Sequence, residues 1–314
     1  MKISVRMEGG LGDHLLANRF VPSILDKYPN SKIHLFSDTN GNSLQSDILL
    51  NLYDFYDSRT LIYRKSENYE IYSQFGKENF AAHISNTSDE DKALIYNCDK
   101  FFNLHIDWME WLDYDIDWQR YFYHFPQPSL KINPILNIKP YIVLHIASDN
   151  LANNHRMSKS YLNGLIDNIP SKFDIFILST KSTQDFINAN FKESNRVKFF
   201  SKNINDVIRL VKGCAGMFAI DSGIKYFGYI FNKPTLTWAK ESSKPHTCLP
   251  AFQMRWLTFP SLIFPLQFDA KYMCECMENL MDSNNLFLAP HLNTKEIDRT
   301  LIRRKESHED SSMV

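Results

Sequence analysis

Lys2-Ile3-Ser4-Val5-Arg6-Met7 runs into Glu8-Gly9-Gly10-Leu11-Gly12-Asp13, and Leu15, Leu16, Phe20, Val21, Ile24 and Leu25 follow at helical spacing until Tyr28-Pro29. A short apolar-leaning run, a glycine-rich turn and an amphipathic segment predict strand, turn and helix. Ile33-His34-Leu35-Phe36 then supplies a second strand, completing a βαβ unit. Glycines at such a turn let the backbone leave a strand tightly and come close to a ligand. The helix behind it offers unpaired N–H groups and the positive end of a dipole, which suits an anion. The spacing is neither G-x-G-x-x-G nor a P-loop, because no Lys-Ser/Thr follows. Asp13 has two readings here. Its carboxylate would accept a proton from a hydroxyl at the mouth of the turn, or it would simply cap the helix.

Outward from this unit, residues 40–125 give no regular period, and Trp108, Trp111, Tyr114 and Trp118 form an acidic, aromatic stretch. That stretch reads as a helix packing its rings inward or as a wall for a sugar or base. Pro128, Pro134 and Pro140 mark a connection, which sets the expected domains at 1–137 and 138–314. Beyond it, Tyr141–Ile146, Phe173–Leu178, Val197–Phe200, Met217–Ile220 and Thr235–Trp238 read as nearly all-apolar strands separated by helices. Strands of that kind belong to a parallel sheet covered on both faces. The fold class expected is α/β, with two doubly wound Rossmann-like domains, a C-terminal helix and a short charged tail. A second turn, Asp221-Ser222-Gly223-Ile224-Lys225-Tyr226, directly follows an apolar strand. The carboxyl ends of parallel strands are where such sheets bind ligands, so the Ser222 and Gly223 N–H groups would seat a phosphate, or the turn is an ordinary helix cap.

Composition narrows the class. Of 314 residues, 44% are hydrophobic and 23% charged, and 35 basic against 36 acidic side chains leave a formal charge of -1. That is a globular balance with no global basic field for nucleic acid. The five cysteines are scattered apart from Cys274-Glu275-Cys276, which lacks a second pair at zinc-finger spacing. Reduced thiols, no metal site, no leader peptide and no bilayer-length apolar stretch together predict a cytoplasmic protein.

The two turns together resemble the ADP-heptose lipopolysaccharide heptosyltransferases. Their G-x-L-G-D-x-L-L-x-x-x-x-x-P pattern is matched by Gly9, Leu11, Gly12, Asp13, Leu15, Leu16 and Pro22. Their D-S/T-G motif is matched by Asp221-Ser222-Gly223, and their following K-P strand by Lys233-Pro234 with Trp238 one place early. The resemblance implies a GT-B fold with ligands in a cleft between the halves. It further implies a nucleotide-sugar glycosyltransferase, inverting, with Asp13 as base and Gly10 and Gly12 in the first turn. Asp221, Ser222 and Gly223 would hold the donor diphosphate without a metal or other cofactor. Arg156 or Lys159, with Lys225 and Lys240, would supply positive charge. Tyr226 stands where the family carries a histidine, so ADP- and UDP-linked donors are both open.

The family implies a bacterial surface glycan or lipopolysaccharide-type acceptor. The Asn-, Lys-, Ile- and aromatic-rich composition also suits a bacteriophage protein acting in the host cytoplasm, and T-even phages glycosylate 5-hydroxymethylcytosine in DNA. On that alternative the base is flipped out onto Trp108, Trp111 or Tyr114, and Arg6, Arg19, Arg64 and Lys65 contact phosphates. Gly9-Gly10-Leu11-Gly12 is also similar to the start of fucosyltransferases, but His145-Ile146-Ala147-Ser148 replaces their H-x-R-x-G-D motif. A non-catalytic nucleotide-sugar-binding protein is the remaining alternative. The oligomeric state is left open.

Overall fold

A computed structural model describes residues 1–8, 10–38, 44–63, 97–104, 126–147, 157–220, 222–238, 261–264 and 270–282. The chain divides into two compact units, Met1–Lys131 and Ile132–Val314. Among the described residues no helix is long and apolar enough to cross a membrane.

The first unit holds β1 (Lys2–Glu8), α1 (Leu11–Ala17), α2 (Val21–Lys27), β2 (Lys32–Asp38), α3 (Leu44–Leu52), β3 (Tyr56–Tyr63) and β4 (Lys100–Asn103). Its sheet is parallel throughout, in the order β3-β2-β1-β4. β1 is an inner strand, and Ile3, Ser4, Val5, Arg6 and Met7 are all buried. The segment read as one long helix is broken into α1, a 3-10 turn at Asn18–Phe20, and α2. Pro22 is the cause, because it lacks the N–H that would bond the Asn18 carbonyl.

The second unit holds β5 (Tyr141–His145), α4 (Lys159–Asn168), β6 (Asp174–Leu178), α5 (Gln184–Asn190), β7 (Val197–Phe200), α6 (Ile204–Gly213) and β8 (Gly216–Ile220). It continues with α7 (Lys225–Ile230), β9 (Thr235–Trp238), β10 (Ser261–Phe264) and α8 (Ala270–Asp282). The six parallel strands run β10-β9-β8-β5-β6-β7. The chain lays down β5, β6 and β7 in one direction, then returns to β5 and builds β8, β9 and β10 in the other. This is the doubly wound order, and it reverses between β5 and β8. β5 and β8 are buried over their whole length. Leu144, Leu162, Leu165, Ile175, Ile177, Phe218, Met273 and Met277 are among those that fill the core. α8 lies against α4, where a Cβ on Gly164 would come 2.9 Å from the Ala270 methyl.

The connection between the units is fastened on each side. Ser129 N donates to the Leu52 carbonyl at 2.6 Å, and Lys131 Nζ donates to Asp54 at 3.0 Å. Residues 132–137, read from the sequence as the end of the first half, bond into the second. Lys212 Nζ donates to the Ile132 carbonyl at 2.6 Å and Arg209 Nε to the Asn133 carbonyl at 3.1 Å. Asn137 Nδ2 donates to Asp174 at 2.8 Å.

Candidate functional site

In an open parallel sheet, ligands collect outside the carboxyl ends of the strands where the order reverses. In the first unit that point is the end of β1, between β2 and β4. The chain leaves Glu8 there and starts α1 with Gly10 in the N-cap position. Gly10 is extended, with φ -78° and ψ 177°, and a Cβ on it would sit 3.5 Å from Asp13 Oδ2, an ordinary contact. Neither its backbone conformation nor the space around it therefore demands glycine. Gly12 lies in the first turn of α1, and Asp13 is half-buried at its third position.

Asp13 Oδ2 accepts the Gly10 N–H at 2.7 Å, and the Gly10 carbonyl accepts the N–H groups of Asp13 at 3.1 Å and His14 at 3.2 Å. The carboxylate thus closes the turn from which the helix starts, as a cap does. His14 is fully buried, with Nδ1 3.1 Å from the Gly10 carbonyl. Sequence reading passed over this histidine, since nothing in its period separates it from the helix surface.

In the second unit the reversal lies between β5 and β8. Ser222 and Gly223 come one residue past the end of β8 and are half-buried, and Lys225 N and Tyr226 N bond back to their carbonyls at 3.3 and 3.2 Å. Among the described residues no side chain caps α7, whereas Ser158 caps α4 and Asn203 caps α6. Across the reversal, His145 ends β5, is 4% exposed, and has its Nδ1 3.1 Å from Ser222 Oγ. The sequence carries a signal for this residue. It is the polar end of an otherwise apolar run, Tyr141-Ile142-Val143-Leu144.

Lys225 is buried, 1% exposed, with Nζ 4.8 Å from the centroid of the Tyr226 ring. An ammonium over an aromatic face gains from the ring quadrupole. Lys159 is exposed at the first position of α4, where its charge opposes the positive end of the helix dipole. Arg156, Asp221 and Lys240 lie outside the described residues, as do Trp108, Trp111, Tyr114, Trp118, Arg64 and Lys65.

Arg6 and Arg19, expected on the DNA alternative to meet phosphates, are 3% and 0% exposed. Arg6 is held inside an inner strand, and Arg19 Nε donates to the Leu16 carbonyl at 3.0 Å. Neither reaches a nucleic-acid backbone.

No family model matches the sequence, and no curated protein matches it. Solved structures do. The chain is similar to the ADP-heptose lps heptosyltransferase II of E. coli, with a TM-score of 0.61 and 11% identity over 90% of this chain and 98% of that one. It is similar to a glycosyl transferase family 9 protein of Veillonella parvula, with a TM-score of 0.61 and 11% identity over 89% and 97%. It is also similar to E. coli heptosyltransferase WaaC with ADP, with a TM-score of 0.55 and 10% identity over 89% and 100%. At these identities the likeness is one of fold, and the fold is the Rossmann-like GT-B type.

Proposed function

We propose that this protein is an inverting glycosyltransferase that uses a nucleoside-diphosphate sugar. One observation carries the reading: each unit places a motif group just past the strand end at which its sheet order reverses. Asp13 follows β1, and Ser222-Gly223 follows β8. The GT-B likeness over nearly the whole chain supports it, and three of the similar proteins are described as glycosyl- or heptosyltransferases.

Asp13 takes the proton of an acceptor hydroxyl as that oxygen attacks the anomeric carbon. The bond from the anomeric carbon to the diphosphate breaks, and the nucleoside diphosphate leaves with the electron pair. The Ser222 hydroxyl and the N–H groups of Ser222 and Gly223 stabilise the charge that grows on it. Lys159, at the start of α4, and Arg156 add positive charge. The donor is ADP- or UDP-linked and the acceptor is a surface glycan of the lipopolysaccharide type. Burial of Arg6 and Arg19 removes two of the contacts a DNA acceptor would need.

The test pairs ligand binding with one substitution. UDP or ADP is expected to raise the melting temperature in proportion to the logarithm of its concentration over its affinity. Asp13→Asn keeps an oxygen to accept the Gly10 N–H, so the fold and nucleotide binding persist while turnover falls about 10²–10⁴-fold. Transfer at the normal rate by Asp13→Asn excludes the base assignment. No response to any nucleoside diphosphate at millimolar concentration excludes the glycosyltransferase. A protein that binds the nucleotide sugar but never transfers its sugar is the non-catalytic binder.

A further inference from the structure

We propose that His145 is a positioning residue that turns the Ser222 hydroxyl toward an anionic oxygen of the donor; this rests on the function proposed above. The two side chains stand at the ends of adjacent strands, either side of the order reversal. His145 is the Cα partner of Ala219 in the β5–β8 ladder, and Ser222 lies just beyond that strand. Nδ1 and Oγ are 3.1 Å apart. A buried histidine, 4% exposed, at the end of a fully buried strand is costly unless its polar atoms are bonded. Ser222 meets that need at Nδ1, and the bond constrains the serine in return.

The count of protons makes the constraint directional. A serine has one O–H to donate and lone pairs to accept, and a neutral imidazole nitrogen does one or the other. With Nδ1 as acceptor, the Ser222 hydrogen is spent on the ring, and the oxygen turns its lone pairs to the site, where they repel phosphate. With Nδ1–H as donor, Ser222 Oγ accepts from the ring and its hydrogen is released to point at a ligand oxygen. Only the second arrangement makes Ser222 a phosphate donor. An anionic ligand therefore selects the Nδ1–H form of His145, although the ring itself never touches the ligand.

Four proteins separate this from a packing role: His145→Asn, which keeps an N–H close to the place of Nδ1; His145→Leu, which keeps volume only; Ser222→Ala; and the His145→Leu/Ser222→Ala double variant. UDP and ADP are titrated against each, with uridine and adenosine as controls that lack phosphate. His145→Leu is expected to weaken the diphosphates about tenfold, the loss of one charge-assisted hydrogen bond. The nucleosides stay within about twofold, and His145→Asn recovers most of the diphosphate affinity. Ser222→Ala is expected to lose a similar factor and the double variant little more, because both changes remove one arrangement.

Full diphosphate affinity in His145→Leu overturns the assignment while leaving the proposed function standing. Equal losses for nucleosides and diphosphates, or losses that multiply to about a hundredfold in the double variant, also overturn it. A wild-type protein that binds neither UDP nor ADP fails at the earlier step and removes both readings together.

Discussion

Arg196 shows how much one side chain organises in this molecule. Its Nε donates to the Phe173 carbonyl at 3.0 Å, Nη1 to Ile166 at 3.2 Å, and Nη2 to Pro170 at 2.9 Å and to Ile169. Three of these carbonyls lie at or just past the end of α4, where the last carbonyls lack intrahelical donors and the dipole is negative. Arg196→Met would keep much of the stem and orphan those acceptors, lowering stability by about 2–3 kcal/mol. Urea unfolding should show the midpoint falling with the slope unchanged. Arg196→Lys should recover little, since one ammonium cannot match a planar fork. At this scale the sequence was only partly legible. Asp13 was readable as base or cap, and its hydrogen bond to Gly10 shows the cap. The burial of Arg6, His14, Arg19 and Lys225 was not readable, because a charged or polar side chain carries no local signal that it is covered.

The elements of the second unit were the easiest to read, and the reason is chemical. β5, β6 and β8 are runs of four or more apolar residues, long enough to stand out without their neighbours. β4 is Lys100-Phe101-Phe102-Asn103, four residues with no period, and it becomes a strand by pairing with β1 almost a hundred residues earlier. β10, Ser261-Leu262-Ile263-Phe264, stands between Pro260 and Pro265, which read as loop punctuation. α7 shows packing that a helix period does not reveal. Gly228 faces β9 so closely that an added Cβ would collide with Thr235 Oγ1, itself bonded to the Lys233 carbonyl at 2.8 Å. Gly228→Ala should therefore destabilise by about 1–3 kcal/mol, the cost of overpacking, despite the better helix propensity of alanine. Thr235→Ala in the same chain should restore part of that loss, read as a higher melting temperature for the double variant.

For the molecule as a whole, the connection from residue 126 to 140 responds to acid on both sides. Hydrogen bonding by Lys131, then Ser129, holds the Asp54 carboxyl below its usual range, and the Asn137 amide does the same for Asp174. A carboxyl held low when folded stabilises the protein fully above its unfolded value of about 3.9 and loses that contribution as pH falls through the folded value. Stability should decline below about pH 4, and Asp174→Asn should flatten that limb in urea titrations at successive pH. A slope unchanged by the substitution would remove Asp174 from the account.

Each fastening of that connection also falls within its own half: Ser129 and Lys131 bond residues before them, and Ile132, Asn133 and Asn137 bond residues after them. The Lys131–Ile132 peptide bond is thus a seam at which the gene can be cut in two. Polypeptides ending at Lys131 and starting at Ile132, made separately, would each keep every bond named here. Each should give a dispersed amide spectrum and a cooperative melt, and the second fragment alone should still take up UDP or ADP. On the function proposed above, the halves would then be tradable parts, one recombined with a foreign partner to exchange acceptors while the donor stays the same.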